Sequence, residues 1–375
     1  MIIHYISGSR ADFGLMARCL THLHAAPGHS VGIVATGQHM VEKYGNTLQD
    51  IHAVGLPIVA EIPVRLSGQS GVEMGQALAD ELTGFLKVWQ KQRPDLVLLL
   101  GDRGEMVAGA LAAVHLGIHV AHLHGGERTG TLDESFRHAI TKLSHIHFPA
   151  TEDAAERIRR MGEAPETVHV IGAPGLVGVA GRPQPDAKAL RASLGLDSAA
   201  PLALCIFHPV VQEAAQAAEQ MRLLVEATQA AGYAMAVLRP NSDAGGDAID
   251  AFLDTVPTGP AFRVLTHLER DTYLDLLGAC DLMIGNSSSG IIESASFAVP
   301  CVNIGTRQND RQRNANTFDC PQITHDAIAR TIQAAKLWPR TRENVYGDGR
   351  TDIRLLATLN TLTLSPDNLA KKMPY

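Results

Sequence analysis

Short runs of apolar residues alternate with longer segments of helical period along most of the chain. The apolar runs show little polar alternation, which is typical of parallel strands that are covered on both faces. Strands are predicted at 2–7, 30–35, 96–100, 118–123, 145–149, 168–171, 202–207, 234–238, 262–265, 282–284 and 301–303. Helices are predicted at 15–25, 72–90, 134–143, 152–161, 212–230, 271–277 and 290–297. This alternation predicts an α/β chain with parallel sheets.

Glycine and proline interrupt the pattern near the middle of the chain, at 172–175 and 181–185. About six predicted strands lie on either side, so we expect two similar halves with a cleft between them. The predicted first domain is 1–172, and the predicted second domain is 173–350. The segment 351–375 carries helical signals, and we expect it to pack back on the first domain.

Composition narrows the class of protein. Of the 375 residues, 45% are apolar and 19% are charged, as in globular proteins. The net charge of −7 argues against a surface built for nucleic acid or an anionic membrane. No apolar run reaches the roughly 18 residues that span a bilayer, and the start of the chain lacks the features of a secretion signal. The five cysteines show no CxxC spacing, which indicates neither disulfides nor zinc. We therefore expect a cytoplasmic protein that binds a small molecule.

Polar residues follow several of the predicted strands, where open parallel sheets bind their ligands. After the first strand, a glycine-containing turn carries Arg10, and the amides of the helix start beside it favour an anion. Asp102 and Arg103 follow the strand at 96–100. They form either a structural ion pair or part of a site, and their position at a strand end favours a site.

The densest group of ionisable residues follows the strand at 118–123. The group contains His122, His124, Glu127, Asp133 and Arg137, a concentration that is typical of an active site. Asp133 has a plain alternative role as the N-cap of the next helix. His122 and His124 have the spacing of a metal-binding pair, but no third ligand has clear spacing, so we expect no metal.

In the second half, the segment Gly-Asn-Ser-Ser-Ser-Gly at 285–290 turns a strand into a helix. Hydroxyls and amides in such a turn are placed to hold a diphosphate. The residues that we assign to this contact are Ser287, Ser288, Ser289 and Gly290. Glu293 lies three residues into the predicted helix, where its carboxylate would accept hydrogen bonds from a ribose diol.

Three other strand ends in this half carry polar residues. His208 follows the strand at 202–207, and Asn241 follows the strand at 234–238. Arg307 follows the last predicted strand and offers a permanent charge to a phosphate. Both halves therefore present candidate site residues at the same edge of their sheets.

Five motifs occur in a fixed order along the chain: GSRADFG, GDRGEM, HLHGGERTGTLDESFRHAITKLSHIHF, GNSSSGIIE and VNIGTRQNDR. Together they resemble the hydrolysing UDP-N-acetylglucosamine 2-epimerases. The His-x-His-Gly-Gly-Glu form is similar to the bacterial branch that makes sialic acid or legionaminic acid precursors. The resemblance spans about residues 1 to 320. It implies a GT-B fold of two Rossmann-like domains with the nucleotide in the central cleft, no cofactor, and a homodimer or homotetramer.

The resemblance also implies roles for matching positions. Positions that hold the nucleoside diphosphate are matched by Arg10, Arg103, His208, Asn241, Ser287, Ser288, Glu293 and Arg307. Positions near the sugar are matched by Asp102, Glu127, Asp133 and Arg137. Relatives outside the branch carry a glutamate where this chain has His124, and a lysine near Leu15. This departure leaves the identity of the catalytic base open.

The implied reaction eliminates UDP from UDP-N-acetylglucosamine, adds water to the resulting glycal and inverts carbon 2, which gives N-acetylmannosamine. The candidate catalytic residues are Asp102, Asp133 and His208, followed by Glu127, His124 and Arg137. The same reaction on UDP- or GDP-N,N′-diacetylbacillosamine fits the sequence as well, because the segment 61–75, which we expect to contact sugar carbons 4 and 6, has no decodable pattern. A GT-B glycosyltransferase and a non-catalytic sugar-nucleotide sensor are two further candidate functions.

Overall fold

A computed structural model describes residues 1–41, 47–65, 71–129, 132–179, 181–183, 185–196, 199–240, 244–266 and 268–371. The chain forms two compact units, Met1–Ala180 with Tyr346–Tyr375, and Gly181–Val345. Each unit is built on a six-stranded parallel sheet with helices. The predicted division into domains at 1–172 and 173–350 remains a prediction about which parts of the chain fold independently. The predicted packing of 351–375 on the first domain also remains a prediction.

The sheet of the first unit contains β1 (Ile2–Ser7), β2 (Ser30–Ala35), β3 (Ile58–Glu61), β4 (Leu96–Leu100), β5 (His119–Leu123) and β6 (Ile146–Phe148). Its helices are α1 (Arg10–Ala25), α2 (Leu48–Ala53), α3 (Gly71–Lys91), α4 (Gly104–His115), α5 (Leu132–Leu143), α6 (Glu152–Arg160) and α13 (Thr351–Thr361). The strand order is β3-β2-β1-β4-β5-β6. The order reverses between β1 and β4, and ligands of such sheets bind at this point, beyond the carboxyl ends.

Alternate residues of the central strands feed two separate cores. Tyr5 and Leu98 point into the core beneath α1, whereas Ile6 and Leu99 point into the core beneath α3 and α4. The second core also contains Trp89, which is 1% exposed. A sheet that is covered on both faces needs apolar residues at successive positions, which explains the unbroken apolar runs in the sequence.

The helix α13 belongs to the first unit although it lies far along the chain. Leu355 and Leu359 of this helix are buried in the core beneath α1. Two hydrogen bonds join this later stretch of chain to Ala173: Thr351 Oγ1 donates to Ala173 O at 3.0 Å, and Ala173 N donates to Tyr346 O at 2.8 Å. The first unit is therefore made of two separate stretches of chain.

The sheet of the second unit contains β7 (Leu202–Ile206), β8 (Ala234–Leu238), β9 (Phe262–Leu265), β10 (Leu282–Gly285), β11 (Cys301–Ile304) and β12 (Thr317–Cys320). Its helices are α7 (Ala187–Ser193), α8 (Ala217–Ala230), α9 (Gly246–Thr255), α10 (Arg270–Ala279), α11 (Ser288–Ile292) and α12 (His325–Lys336). The strand order, β9-β8-β7-β10-β11-β12, repeats that of the first unit. The reversal here lies between β7 and β10.

Three strands differ from the sequence predictions. The predicted strand at 168–171 is wrong, because this stretch forms only one isolated bridge, between Val168 and His147. The sixth strand of the first sheet is β3, and the second sheet gains β12. Both are edge strands of four residues with mostly half-exposed side chains, so they lack a long apolar run. Among the residues that the structure describes, no helix is long and apolar enough to cross a membrane.

Candidate active site

The turn after β1 is organised by Asp12. Its side chain and Ser9 form a reciprocal capping box at the start of α1, with Ser9 N donating to Asp12 Oδ2 at 2.6 Å. Asp12 also accepts hydrogen bonds from Ser7 Oγ at 2.7 Å and from Gly8 N at 3.1 Å. Burial raises the pKa of Asp12, and the hydrogen bonds from Ser7 and Ser9 oppose that rise. These bonds hold the turn that carries Arg10 in one conformation.

Arg10 lies at the first position of α1, and its Nε lies 2.7 Å from Asp50 Oδ2. Arg103 is exposed at the N-cap of α4. The carboxylate of Glu105 packs against Gly8, where a Cβ atom would lie 2.1 Å from Glu105 Oε1. Glycine at position 8 therefore makes room for Glu105. Burial raises the pKa of Glu105, and the charge of Arg103 opposes that rise.

Arg137 joins the loop after β4 to the loop after β5. Its Nη2 donates to the Asp102 carboxylate, and its Nη1 donates to Glu127 O at 3.1 Å. Arg137 is only 3% exposed, so its charge is removed from water and depends on these partners. The structure thus brings together three of the predicted site residues that are up to 35 positions apart in the sequence.

His124 and Glu127 form a second contact within the same group. His124 has a φ of 58°, a left-handed conformation that turns its side chain back so that Nδ1 lies 2.6 Å from Glu127 Oε1. Two glycines follow, and a Cβ atom on Gly126 would lie 2.3 Å from Ala154 O. The glycines therefore allow the tight loop that places Glu127, 5% exposed, beside His124.

His122 is fully buried and has protein partners on both nitrogens. Its Nε2 lies 2.7 Å from Gly101 O, and its Nδ1 lies 3.2 Å from Thr141 Oγ1. A carbonyl oxygen only accepts, so Nε2 carries the proton and Nδ1 accepts from the threonine. Burial lowers the pKa of His122 to about 3, which keeps the ring neutral. In the described part of the chain, no group of three or more His, Cys, Asp or Glu is arranged to hold a metal.

Asp133 is exposed, and it does not occupy the N-cap position that we predicted for it. The helix α5 begins at Leu132, so Asp133 lies inside the first helical turn. Its negative charge nonetheless reaches the turn after β4, because Asp133 contributes to the raised pKa of Glu105. Glu134, the next residue, accepts a hydrogen bond from Thr129 N at 2.7 Å and holds the preceding loop against the helix.

In the second unit, Glu293 is 2% exposed at the end of the five-residue helix α11. Its carboxylate accepts hydrogen bonds from Arg270 Nη2 and from Ser289 Oγ, which also contacts Tyr273 OH. Ser287 is the N-cap of α11, and its side chain accepts from Ser289 N at 3.3 Å. Ser288 and Gly290 lie in the first turn of this helix. The residues predicted to contact the ribose and those predicted to contact the diphosphate therefore lie next to each other.

His208 and Arg307 are held by the same residue, Asn286. The Asn286 side chain pairs with the backbone of His208, and Asn286 O accepts a hydrogen bond from Arg307 Nη1 at 3.2 Å. Asn241, a further predicted nucleotide contact, lies outside the described residues. Glu105 and Asn286 were not predicted as site residues from the sequence, because their contacts with Gly8 and His208 join residues that are far apart in the chain.

Comparisons with known proteins agree on one family. Residues 21–360 match the family described as UDP-N-acetylglucosamine 2-epimerase. The UDP-N,N′-diacetylbacillosamine 2-epimerase (hydrolyzing) of Legionella pneumophila is 43% identical over 374 residues, which covers 100% of this chain and 99% of that protein. The UDP-N-acetylglucosamine 2-epimerase of Neisseria meningitidis serogroup B is 30% identical over 346 residues, 92% of this chain and 90% of that protein.

A solved structure supports the fold independently. The crystal structure of UDP-GlcNAc 2-epimerase from Neisseria meningitidis bound to UDP-GlcNAc matches with a TM-score of 0.79 at 17% identity, over 96% of this chain and 100% of that chain. The match and the two parallel sheets confirm the predicted fold class, an α/β fold of GT-B type with two Rossmann-like domains.

Proposed function

The chain belongs to the UDP-N-acetylglucosamine 2-epimerase family, and from that premise we propose that it is a hydrolysing 2-epimerase of a UDP-linked 2-acetamido sugar. Membership makes the protein an enzyme that acts on sugar nucleotides. The observation that carries the finer proposal is the contact group of Asp102, Arg137, Glu127 and His124 at the carboxyl edge of the first sheet. Acid–base groups at one site are what proton removal and return require.

The nucleotide is assigned mainly to the second unit. Arg307 is the phosphate contact, and its guanidinium donates to Asn286 O, directly before the turn that carries the hydroxyls of Ser287 and Ser288. Glu293 is the ribose contact, because each of its oxygens can accept another hydrogen bond beside those from Arg270 and Ser289. Arg10 and Arg103 of the first unit supply further positive charge. Positive groups at the leaving diphosphate stabilise the charge that develops as the bond to carbon 1 breaks.

The sugar is assigned to the first unit. A base removes the proton from carbon 2, the electron pair forms the carbon 1–carbon 2 double bond, and UDP leaves with the bonding electrons of carbon 1. Water then adds its oxygen to carbon 1 and gives one proton to a base, and an acid protonates carbon 2 on the opposite face. Two proton-transfer groups on two faces are needed, and Asp102 and Asp133 are the leading pair, with His208 as the third candidate. Arg137 positions Asp102 for this step.

The sugar favoured by the comparisons is N,N′-diacetylbacillosamine. The Legionella relative named for that substrate is 43% identical, whereas the Neisseria relative named for UDP-N-acetylglucosamine is 30% identical. Both donors carry the 2-acetamido group and the UDP that the scheme uses. They differ at carbons 4 and 6, so the preference depends on contacts outside the acid–base group.

One assay tests the function and the substrate together. Purified protein is given UDP-N,N′-diacetylbacillosamine or UDP-N-acetylglucosamine without an acceptor, in deuterated water, and UDP and free sugar are measured. We expect equimolar UDP and 2-epimerised free sugar, with deuterium at carbon 2 and higher kcat/KM for the diacetamido donor. A glycosyltransferase releases little without an acceptor, and a sensor releases nothing. A product without deuterium at carbon 2 would contradict the elimination scheme.

We also propose a cytoplasmic homo-oligomer, on the resemblance described above. Light scattering of the purified protein measures the oligomeric state, and cell fractionation measures the location. A monomer at micromolar concentration, or recovery in the periplasmic fraction, would contradict the respective proposal.

A further inference from the structure

Asn286 lies at the carboxyl end of β10 and is 1% exposed. Its side-chain amide pairs with both backbone groups of one neighbour: His208 N donates to Asn286 Oδ1 at 2.7 Å, and Asn286 Nδ2 donates to His208 O at 2.7 Å. An amide is the side-chain group that donates and accepts like a peptide unit. Asn286 therefore extends the hydrogen bonding between β10 and β7 past the point where the strands end.

The backbone of the same residue reaches the opposite neighbour. Asn286 O accepts hydrogen bonds from Arg307 Nη1 at 3.2 Å and from Gln308 Nε2 at 3.1 Å. Gln308 is 3% exposed, so this second contact is buried. One residue thus contacts both the loop that carries His208 and the loop that carries Arg307.

The strand order explains why this position can do so. The strand β10 lies between β7 and β11, so its end is flanked by the loops that follow both neighbours. Gly285, just before Asn286, has a φ of 136°, and a Cβ atom there would lie 2.0 Å from Ile206 O. Glycine at 285 allows the end of β10 to approach β7 closely enough for the paired hydrogen bonds.

We propose that Asn286 is a positioning residue, which holds the backbone of His208 in register with the turn that binds Arg307. The proposal rests on the proposed function, in which His208 is a proton-transfer candidate and Arg307 a phosphate contact. Asn286 itself touches no reacting atom in this scheme. Its substitution displaces His208 and so lowers the rate of the chemical step more than the affinity for UDP, since Asn286 O, the partner of Arg307, belongs to the backbone.

A merely structural role would give a different result, and the chain offers a matched control for it. Asp281 ties the opposite, amino ends of the same two strands, because its Oδ2 accepts from Leu202 N at 2.8 Å and from Arg191 Nη2 at 3.0 Å. Asn286→Asp and Asp281→Asn are isosteric changes at the two ends of β10. Both disturb the β7–β10 pair, but only the first lies at the edge that carries the site.

The deciding experiment is a double-mutant cycle of Asn286→Ala and His208→Ala on the full-length protein, with kcat from UDP release and UDP affinity from calorimetry. We expect Asn286→Ala to lower kcat at least tenfold, and to add nothing in the His208→Ala background, because a residue that acts through another shows no independent effect. Additive losses, or a kcat within twofold of wild type, would overturn the proposal. We expect Asp281→Asn to lower the melting temperature without changing kcat or UDP affinity; an equal loss of kcat there would also overturn it.

Asn286→Asp is the second test variant, for the case in which Asn286→Ala does not fold. Its carboxylate keeps the acceptor for His208 N but cannot donate to His208 O, whereas its protonated form can. Its kcat deficit should therefore narrow as the pH is lowered, and a deficit that is constant with pH counts against the proposal. If the wild type releases no UDP from either donor, the proposed function fails, and the position of His208 is then read from its imidazole NMR signals. Identical His208 signals in wild type, Asn286→Ala and Asn286→Asp would overturn the positioning role on its own.

Discussion

The two sheets have the same strand order, but their carboxyl edges carry different chemistry. The edge of the first sheet is rich in carboxylates and histidines, and Asp102, Glu127 and His124 are tied together there around the buried Arg137. The edge of the second sheet presents serine hydroxyls and the amide of Asn286 together with Arg307 and Glu293. The strand order makes loops converge in both units, so the residues that follow the strands decide what each edge binds.

The difference extends from the edges into the cores. Eight histidines of the first unit have lowered pKa values, with burial as the first cause in each: His4, His39, His119, His122, His138, His145, His147 and His169. The sequence of the second unit contains only three histidines, His208, His267 and His325. The unit assigned to proton transfer is therefore also the unit whose stability depends on many neutral imidazoles.

The largest expected effect comes from Asp102→Asn in the first unit. The substitution keeps the shape of the side chain but removes the charge that faces Arg137 and the capacity to take a proton. We expect turnover to fall by about 100- to 10,000-fold, the range of general acid–base catalysis, while UDP still binds. Steady-state kinetics and calorimetry measure the two quantities. Asp348→Asn is the control, because Asp348 forms an exposed ion pair with Arg354, and near-normal turnover of folded Asp102→Asn would contradict the assignment.

The next effect is acid unfolding of the first unit before the second. Burial lowers the pKa of His4, His39 and His145 to about 4, below the ~6.5 of an unfolded chain. The unfolded chain then binds more protons than the folded chain below pH 6.5, so the stability present above that pH is lost as the pH falls. At about 1.4 kcal/mol per pKa unit, each histidine removes roughly 3 kcal/mol by pH 4.

Three buried carboxyls of the first unit act in the opposite direction. Burial raises the pKa of Asp12, of Glu105 and of Glu81, the last to about 8. These groups bind protons more tightly in the folded state, so they add stability as the pH falls towards their unfolded pKa values. We expect the eight histidines to outweigh these three carboxyls, which gives a net loss of stability in acid for the first unit.

The two tryptophans allow the acid unfolding of each unit to be measured separately. Trp89 of the first unit donates to His4 Nδ1 at 3.2 Å, and Trp338 lies in the second unit. Fluorescence of the Trp338→Phe and Trp89→Phe variants therefore reports one unit each as the pH is lowered. We expect the Trp89 signal to change at higher pH than the Trp338 signal, and coincident transitions would contradict the comparison.

A smaller effect is expected from the arginines that we assign to the diphosphate. Arg307→Ala should weaken UDP binding roughly 10- to 100-fold, since a lost hydrogen bond to a charged group costs about 1.5–3 kcal/mol. Arg10→Ala should fall at the lower end of this range, because Asp50 already offsets part of the Arg10 charge. Calorimetry with UDP measures both, and Arg330→Ala, an exposed arginine of α12, is the control. Wild-type affinity in both variants would remove these arginines from the phosphate site.

The smallest expected effect is that of a chelator. Both nitrogens of His122 already have protein partners, so its pairing with His124 is not arranged for a metal. We expect turnover to be unchanged after dialysis against a chelator, measured by UDP release. Loss of turnover that zinc or manganese restores would contradict this assignment of the histidines.

The sequence predicted the central strands well; of the edge strands, it predicted β6 and β9 and missed β3 and β12. The bounds of β1, β2 and β4 agree with the predictions, because these strands are apolar along nearly their whole length. The edge strands β3 and β12 contain Glu61 and Asp319, which remove the apolar signal. In contrast, the apolar stretch at 168–171 lies beside β6 with a single bridge and adds no strand.

The residues of the candidate site were predictable where a strand ends in a glycine-containing loop, as at Asp102 and Arg307. Their partners were not. Asp102 meets Arg137 across 35 positions, and His208 meets Asn286 across 78 positions. Such pairs depend on the order of strands in the sheet, which local periodicity does not specify.

The first unit consists of Met1–Ala180 and Tyr346–Tyr375, with the whole second unit between them. A ribosome delivers the chain from its amino end, so residues 181–345 leave it before α13 does. The second unit can complete its core while the first still lacks Leu355 and Leu359, which fill the space beneath α1. During synthesis the second unit can thus be finished first, and the core of the first unit is closed only by residues that follow position 345.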